Sequence, residues 1–449
     1  MKTSLDAQRI DPLLSRLAAA NADFARRHPG DRPGRQPVHT VYGGAHLFAH
    51  DTARKLGAVA LRALDEYAPN ADAFARALGL PGDDDDATAR QLAVFERVRE
   101  KLAREPVEDL RADFEDGYGH RSADEEDGHA RSVARALARG MGEASLPPFV
   151  GIRIKSLSTE TTARALRTLD LTLTALATET GGAVPPRFVV TLPKVVIAAQ
   201  VEALCDALDA LEAGLSIAPG AVGVELMVET PQSLSVHRGE SALRAFVDAA
   251  RGRCVAAHFG AYDYTAACGV AATDQSLSHP WCDLARHAMI TSLAGTGVRL
   301  SDGATTTLPI APHKTPSNDR ERDENRDAVH RAWAIARNDV TRALSQGIYQ
   351  GWDLHPAQLV SRYGAVYDFF LCGIEASGRR LRHFVAQAAR ATQAGGGFDD
   401  AATGQALVNF FLRAVDAGAL TEAEASTHAG VSLEALRTRS FVVIAGAAR

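Results

Sequence analysis

Eight short runs rich in β-branched and aromatic residues alternate with longer amphipathic stretches between about residue 37 and residue 360. This alternation is typical of repeated strand–helix units around a parallel sheet. The predicted strands span residues 36–42, 109–116, 148–154, 187–195, 222–230, 253–260, 297–303 and 347–355. Eight such units favour a closed (β/α)8 barrel, the TIM-barrel fold of the α/β class. An open doubly wound sheet is the alternative, but no strand is followed by the glycine-rich turn that binds dinucleotides.

The remaining segments suggest how the chain is organised around this barrel. The predicted regions are an N-terminal helical segment (1–35), the catalytic barrel (36–376) and a C-terminal helical extension (377–449). Residues 67–108 and 304–322 exceed a minimal barrel and are predicted to be loop insertions, the first of which includes a helix-like stretch at 87–104. The stretch 231–250 has helical spacing of its apolar residues. The glycine-rich segment 394–400 is predicted to be a loop between helices of the extension.

Composition excludes several classes of protein. The formal charge is -6 and no basic stripe is present, which argues against a nucleic-acid partner. The five cysteines are scattered without C-x-x-C spacing, as expected for a reducing compartment. No window approaches the roughly 20 apolar residues of a membrane span, and the N-terminus lacks a continuous apolar signal region. These features predict a soluble cytoplasmic protein with no membrane partner.

Ionisable side chains stand at the carboxyl ends of the predicted strands, where the active sites of TIM barrels lie. They are Glu115, Asp116, Arg153, Lys194, Glu229, Asp263, Asp302 and His355. Of the fifteen histidines, four lie closest to predicted strand ends, where a proton could be carried: His39, His46, His258 and His355.

Two of these acids, Glu229 and Asp263, are candidates for metal ligands. Both follow largely apolar runs, and a buried carboxylate is costly unless it is paired or bound to a cation. Two carboxylates completed by water and substrate are typical of Mg2+ or Mn2+ rather than of zinc. The alternative is that both acids form ion pairs with Arg153 and Lys194.

Six motifs in order resemble a known superfamily. VELMVETPQSL (224–234) resembles the metal-binding Glu segment of the citrate lyase β-subunit and malyl-CoA lyase group, within the HpcH/HpaI aldolase superfamily. HFGAYDYTAACG (258–269) is similar to the Gly-x-x-Asp segment of that group. The other matching segments are DFEDGYG (113–119), GIRIKS (151–156), LPKV (192–195) and GWDLHPAQL (351–359). The first strand instead runs into VYGGAHLFAH (41–50), where members of the superfamily have a Pro-Gly or Pro-Ala turn. The resemblance therefore does not identify the substrate.

The resemblance implies a role for each matching residue. Glu229 and Asp263 would hold the metal, and Arg153 would bind a carboxylate or stabilise an oxyanion, the alternative being a structural ion pair with Asp113 or Glu115. Glu115 and Asp116 would orient Arg153 or a metal-bound water.

Three further residues are expected at this site. Lys194 would give polar support, with a Schiff base as the sharper alternative. Gly260 and His355 are expected at the substrate, although His355 also fits a purely structural place in the closing strand.

The implied function is a Mg2+- or Mn2+-dependent carbon–carbon lyase or aldolase that acts through an enolate of a 2-oxo acid, such as pyruvate, or of an acyl-CoA. A Claisen-condensing enzyme of malate-synthase type is the second hypothesis. The third is a barrel that has lost catalysis and serves as an interaction protein. A homo-oligomer is predicted, because barrels with helical C-terminal extensions in the group that the sequence resembles often exchange or pack them.

Overall fold

A computed structural model describes residues 5–237, 239–393, 401–440 and 443–444. It contains a closed barrel of eight parallel strands in chain order, the last of which is hydrogen-bonded to the first. The strands are β1 (His39–Gly44), β2 (Asp109–Asp113), β3 (Phe149–Arg153), β4 (Val189–Leu192), β5 (Gly223–Val228), β6 (Cys254–Phe259), β7 (Arg299–Ala304) and β8 (Gln350–Asp353). The predicted (β/α)8 barrel is therefore confirmed.

Helices surround the barrel and continue beyond it. They are α1 (Ala7–Arg27), α2 (Thr52–Tyr67), α3 (Ala71–Leu78), α4 (Asp85–Arg104), α5 (Ala123–Gly142), α6 (Thr162–Thr180), α7 (Ala198–Gly214), α8 (Ala242–Ala249), α9 (Ala261–Ala267), α10 (Pro280–Leu293), α11 (Asp319–Ser345), α12 (Gln358–Gln393), α13 (Ala401–Asp416), α14 (Glu422–Ala429) and α15 (Leu433–Arg437). No helix among the described residues is both long and apolar enough to cross a bilayer.

Two predicted segments differ in detail from the structure. In the insertion at 67–108, the helix expected at 87–104 is present as α4, and α3 is a further helix that was not predicted. These helices bury Phe74 and Val98 in the core beside α12. The stretch from Pro231 is not one helix. A short 3-10 turn and a two-stranded hairpin precede α8, because Thr230 caps the turn and Val236–His237 pairs with Glu240–Ser241. The loop predicted at 394–400 lies outside the described residues.

The C-terminal helices pack onto the barrel through α12. This helix has 36 residues and runs across position 376, where the sequence suggested a boundary. Leu407 and Phe411 of α13 and Leu436 of α15 belong to the same buried cluster as Tyr363 and Phe370 of α12. The three-region organisation (1–35, 36–376 and 377–449) is retained as a proposal, with its second boundary inside a helix.

Local sequence fixes the loops that carry the candidate site. Ser122 and Glu125 form a capping box at the start of α5, which satisfies two free backbone N–H groups and ends the loop after β2. Asp113, the last residue of β2, accepts hydrogen bonds from the backbone N–H groups of Glu115 (2.9 Å) and Gly117 (2.8 Å). The acidic loop is therefore held at its start by the last residue of β2 and ends at the capped start of α5.

Candidate active site

Glu229 follows β5 directly and is almost fully buried, with 2% of its surface exposed. Its Oε1 accepts a hydrogen bond of 2.6 Å from the backbone N–H of Lys194. Gly260 packs against it so closely that an added Cβ would lie 2.5 Å from Glu229 Oε2. Burial, together with the negative charge of Asp263, raises the pKa of Glu229 to about 8 against the opposing effect of Arg153. A metal ion bound beside this carboxylate would favour its ionised form at neutral pH.

Asp263 lies in the first turn of α9, three residues after Gly260, and its side chain is 47% exposed. Its Oδ2 is 3.9 Å from Lys194 Nζ. Glu229 and Asp263 thus flank Lys194 at the same end of the barrel, after the neighbouring strands β5 and β6. Two carboxylates can bind the same metal ion only if they lie at the same end of the barrel, as Glu229 and Asp263 do.

Lys194 stands at the centre of an acidic cluster. Its Nζ donates to Glu115 Oε1 and, at 3.0 Å, to Asp116 Oδ1. Burial opposes its charge, but hydrogen bonding and attraction to Glu115 and Asp116 prevail, so the pKa of Lys194 is raised. Its backbone is left-handed (φ 52°), as it is at five other non-glycine residues of the described chain, so this conformation alone does not mark a functional residue. A protonated ammonium is unsuited to imine formation, which favours the supporting role over the Schiff base.

The two acids after β2 differ in environment. Burial raises the pKa of Glu115, whose Oε2 lies 3.4 Å from Arg153 Nη1. Asp116 is more exposed, and although burial acts in the opposite direction, hydrogen bonding with Glu115 and Lys194 lowers its pKa. The pair therefore joins Lys194 to Arg153 across the mouth of the barrel.

Arg153 ends β3 and is 1% exposed. Its Nε and Nη2 donate to the two carboxylate oxygens of Asp113 at 2.7 and 2.6 Å. The guanidinium carbon lies 4.8 Å from the ring centre of Tyr42 and 5.5 Å from that of Trp352. Nη1 has no hydrogen-bond partner among the described residues. Ion pairs with both Asp113 and Glu115 are thus present, but only Asp113 forms hydrogen bonds with the guanidinium, so Nη1 keeps its donors.

His355 and Asp302 are engaged in contacts outside this cluster. His355 Nδ1 accepts from the backbone N–H of Ala357 (3.2 Å), and the backbone N–H of His355 donates to Gln358 Oε1 (3.1 Å). His355 therefore orders the turn between β8 and α12, and burial lowers its pKa. Asp302 is buried and accepts from Arg286 Nε at 2.9 Å.

His39, one of the four histidines considered as proton carriers, lies at the opposite end of the barrel. It is the first residue of β1 and is fully buried. Its Nε2 accepts from the backbone N–H of Glu108 at 3.1 Å. Burial holds the pKa of His39 well below its usual range, so this side chain supports the amino ends of the strands as a neutral ring.

A polar network that the sequence analysis did not identify lies beneath the site. Glu225 of β5 is four residues before Glu229, so alternation along the strand directs both side chains to the same face. Glu225 accepts from Arg111 Nη2 (2.7 Å) and Thr191 Oγ1 (2.6 Å). Burial opposes the charge of Glu225, but Arg111 and His258 hold its pKa well below the usual range.

The same network includes Tyr42, one of the two aromatic residues that pack against Arg153. Tyr42 Oη donates to Glu225 Oε1 (2.9 Å) and lies 3.0 Å from His258 Nδ1. Burial, with the nearby charge of Glu225, raises the pKa of Tyr42 well above its usual range. His258 therefore belongs to this buried network beneath the site and does not lie at the barrel mouth. The signal for this network was the period-2 spacing of the charged residues Asp109, Arg111 and Asp113 on β2, which places them on one face of the strand.

The charge balance bears on whether a metal fits. Among the described residues of the cluster, two cations, Lys194 and Arg153, face a larger number of carboxylates: Asp113, Glu115, Asp116, Glu229 and Asp263. In the described part of the chain, no three His, Cys, Asp or Glu side chains come together in a way that could hold a metal by themselves. Mg2+ commonly takes one or two protein carboxylates and completes its shell with water and substrate, so Glu229 and Asp263 fit that donor set.

The fold and the site define a (β/α)8 barrel with ionisable groups gathered at the carboxyl ends of its strands. The chain belongs to the family described as "Domain of unknown function (DUF6986)", whose model matches residues 17–444. No curated protein matches the chain.

Solved structures resemble it at low identity. A citrate lyase from Burkholderia xenovorans LB400 is 19% identical, with 88% of this chain and 96% of that chain covered and a TM-score of 0.53. A malate synthase from Haloferax volcanii is 15% identical over 87% of this chain and 99% of its own, with a TM-score of 0.46. A citrate lyase β-subunit from M. tuberculosis, complexed with oxaloacetate and magnesium, is 17% identical over 61% and 93%, with a TM-score of 0.36. The likeness to the first of these supports the barrel fold.

Proposed function

We propose that the protein is a divalent-metal-dependent carbon–carbon lyase or aldolase acting through the enolate of a 2-oxo acid or acyl-CoA substrate. The observation that carries the proposal is the convergence of Glu229, Asp263, Glu115 and Asp116 on Lys194 at the barrel mouth. A cluster with this excess of negative charge is costly unless a cation joins it. The ordered motifs of the sequence support the same chemistry.

Glu229 and Asp263 would hold Mg2+ or Mn2+, which when bound supplies Lewis acidity to the carboxylate and carbonyl oxygens of a substrate. Arg153 would donate from Nη1, which makes no hydrogen bond but lies 3.4 Å from Glu115 Oε2, to the oxygen on which negative charge develops as the carbon–carbon bond breaks. Asp113 fixes the opposite edge of that guanidinium, so the donor is oriented before the substrate arrives. Lys194 stays protonated in its supporting position because of the acids around it.

Gly260 has no side chain and would therefore leave the Glu229 carboxylate the space that it needs. His355 would shape the substrate pocket through the turn that it orders after β8. The compartment is proposed to be the cytoplasm and the assembly a homo-oligomer, which light scattering would measure as a mass above that of one chain.

Activity assays on the purified protein test the proposal. With Mg2+ and a panel of hydroxy-oxo acids, we expect pyruvate or another 2-oxo acid to be released. Release of CoA when glyoxylate and acetyl-CoA are supplied would instead indicate a Claisen-condensing enzyme. Inactivity with the whole panel would favour the non-catalytic barrel.

Variants connect any activity to the site. Glu229→Gln and Asp263→Asn should each abolish metal-stimulated turnover while preserving the far-UV circular dichroism of the wild type. Glu422→Gln, which removes an exposed carboxylate from α14, is the matched control and should behave like the wild type. Full turnover in both site variants would contradict the metal assignment.

A further inference from the structure

A cavity of about 240 Å³ lies at the amino ends of the strands, opposite the candidate active site. It is lined by the segment before β1, the loop from α10 into β7, the loop before β8 and the side chain of Arg413 from α13. The N-terminal segment, the barrel and the C-terminal extension therefore meet around it. Its volume approaches the lower end of the range for small-molecule sites, about 300 Å³.

Three arginines line this cavity: Arg32, Arg299 and Arg413. Among the described residues of the lining, Asp31 is the one carboxylate, and it already pairs with Arg439 at 2.7 Å. Arg413 donates to a side-chain oxygen of Gln36 and is 3.9 Å from Asp31. The walls thus carry more positive than negative charge.

Arg32 and Arg299 have no carboxylate within ion-pair distance among the described residues. Arg299 donates from Nη1 to the carbonyl of Arg35 at 3.2 Å, while its buried Nε has no partner within the described part of the chain. Arg32 donates to backbone carbonyls, those of Gly252 (3.3 Å) and Cys254 (2.8 Å). Both guanidinium groups therefore keep donors and charge that no side chain neutralises.

The electrostatic surroundings of Arg299 reflect this lack of a direct partner. Burial lowers the pKa of Arg299, and the positive charges of Arg111 and Arg32 add to the effect. The more distant carboxylates of Asp109 and Glu225 act in the opposite direction without overcoming it. An anion in the cavity would supply the missing compensation.

The backbone brings these two cations together. Gly297 has a φ of 77°, and a Cβ there would lie 3.0 Å from the carbonyl oxygen of Gly30 and 3.1 Å from Arg32 Cγ. Only glycine allows the loop before β7 to approach the N-terminal segment this closely without strain. Arg32 is exposed and partly screened by solvent, whereas Arg299 is largely shielded from it, so an anion between the two guanidinium groups would lower their mutual repulsion.

We propose that this cavity is a binding site for a small oxyanion, either inorganic phosphate or the phosphate or carboxylate group of a small metabolite. Arg32 and Arg299 would donate charge-assisted hydrogen bonds to its oxygens, as guanidinium groups do in phosphate and carboxylate sites. The bound anion would link the N-terminal segment to the barrel and, through Arg413, to the extension. The proposal is independent of the chemistry at the other end of the barrel.

Isothermal titration and thermal unfolding of the full chain with sodium phosphate, and separately with citrate, test this proposal. Sodium chloride at matched ionic strength controls for general screening. We expect saturable binding and a rise in Tm with at least one of the two anions, and the anion that acts distinguishes a phosphate site from a carboxylate site. Arg299→Gln and Arg32→Gln should each weaken binding at least about tenfold.

Arg187→Gln is the matched control, because Arg187 lies over the same Phe149 ring as Arg299 (5.0 and 5.2 Å) without lining the cavity. It should bind the anion like the wild type, and so should Glu229→Gln. If Arg299→Gln does not fold, the exposed Arg32 supplies the decisive variant. Absence of saturable binding by the wild type would overturn the proposal. So would binding that survives in Arg32→Gln but disappears in Arg153→Gln, since the anion would then lie at the barrel mouth.

Discussion

Replacing Gly260 by alanine tests the geometry of the metal site without removing a charge. The added Cβ would lie 2.5 Å from both Glu229 Cβ and Oε2, whereas ordinary contact begins at 3.4 Å. The carboxylate would have to move by about 0.9 Å, and a misplacement of about 1 Å can cost roughly 100-fold in rate. Gly260 has a φ of -92°, so alanine introduces no backbone strain and the effect is one of space. Overpacking should also lower stability by about 1–3 kcal/mol.

Metal-stimulated turnover of Gly260→Ala should therefore fall about 100-fold, and titration calorimetry should show weaker Mg2+ binding. Gly128→Ala is the control, because Gly128 lies within α5 and nothing is found within 4 Å of its added Cβ. That variant should keep wild-type turnover and gain about 0.5–1 kcal/mol of stability. Wild-type turnover and metal affinity in Gly260→Ala would refute the close packing of Glu229 as a requirement of the site.

Three other predictions concern the same cluster. Arg153→Lys should lower turnover about 100- to 1000-fold with the fold intact by circular dichroism, because lysine cannot pair with Asp113 through two parallel bonds and also offer a third donor; an unchanged rate would contradict the oxyanion role. Borohydride added with pyruvate should leave the protein mass unchanged, since Lys194 stays protonated, and a reduced adduct on that residue would restore the Schiff-base mechanism. In metal-free protein the pKa of Glu229 is about 8 against 4.5 in the unfolded chain, so the folded state holds a proton that the unfolded state releases. Chemical denaturation should therefore show the wild type losing stability relative to Glu229→Gln as pH rises between those values, with Mg2+ reversing the loss; parallel pH profiles would contradict the assignment.

Much of the fold followed from the sequence because each strand of a parallel barrel is a short buried run between longer helical stretches. All eight strands were found, but several predicted ends were too long. Glu229 and His355, for example, lie beyond the last residues of β5 and β8. The hairpin before α8 was missed, because strands of two residues are too short to show a periodicity.

The candidate site was predictable only in part. The resemblance singled out Glu229, Asp263 and Arg153, and the structure brings all three to one end of the barrel. The floor beneath them was not foreseen, because it depends on pairs far apart in the sequence, such as Arg111 with Glu225. Alternation alone shows that such residues face inward, but it does not identify their partners.

Anomalous scattering from crystals of the protein grown with Mn2+ measures most directly whether Glu229 and Asp263 share a metal ion. One strong peak is expected at the barrel mouth, with a carboxylate oxygen of Glu229 and one of Asp263 each about 2.1 Å from the ion. A Mn2+ peak that lies near neither carboxylate, or Mn2+ bound elsewhere with no peak at the barrel mouth, would contradict the assignment of Glu229 and Asp263 as metal ligands.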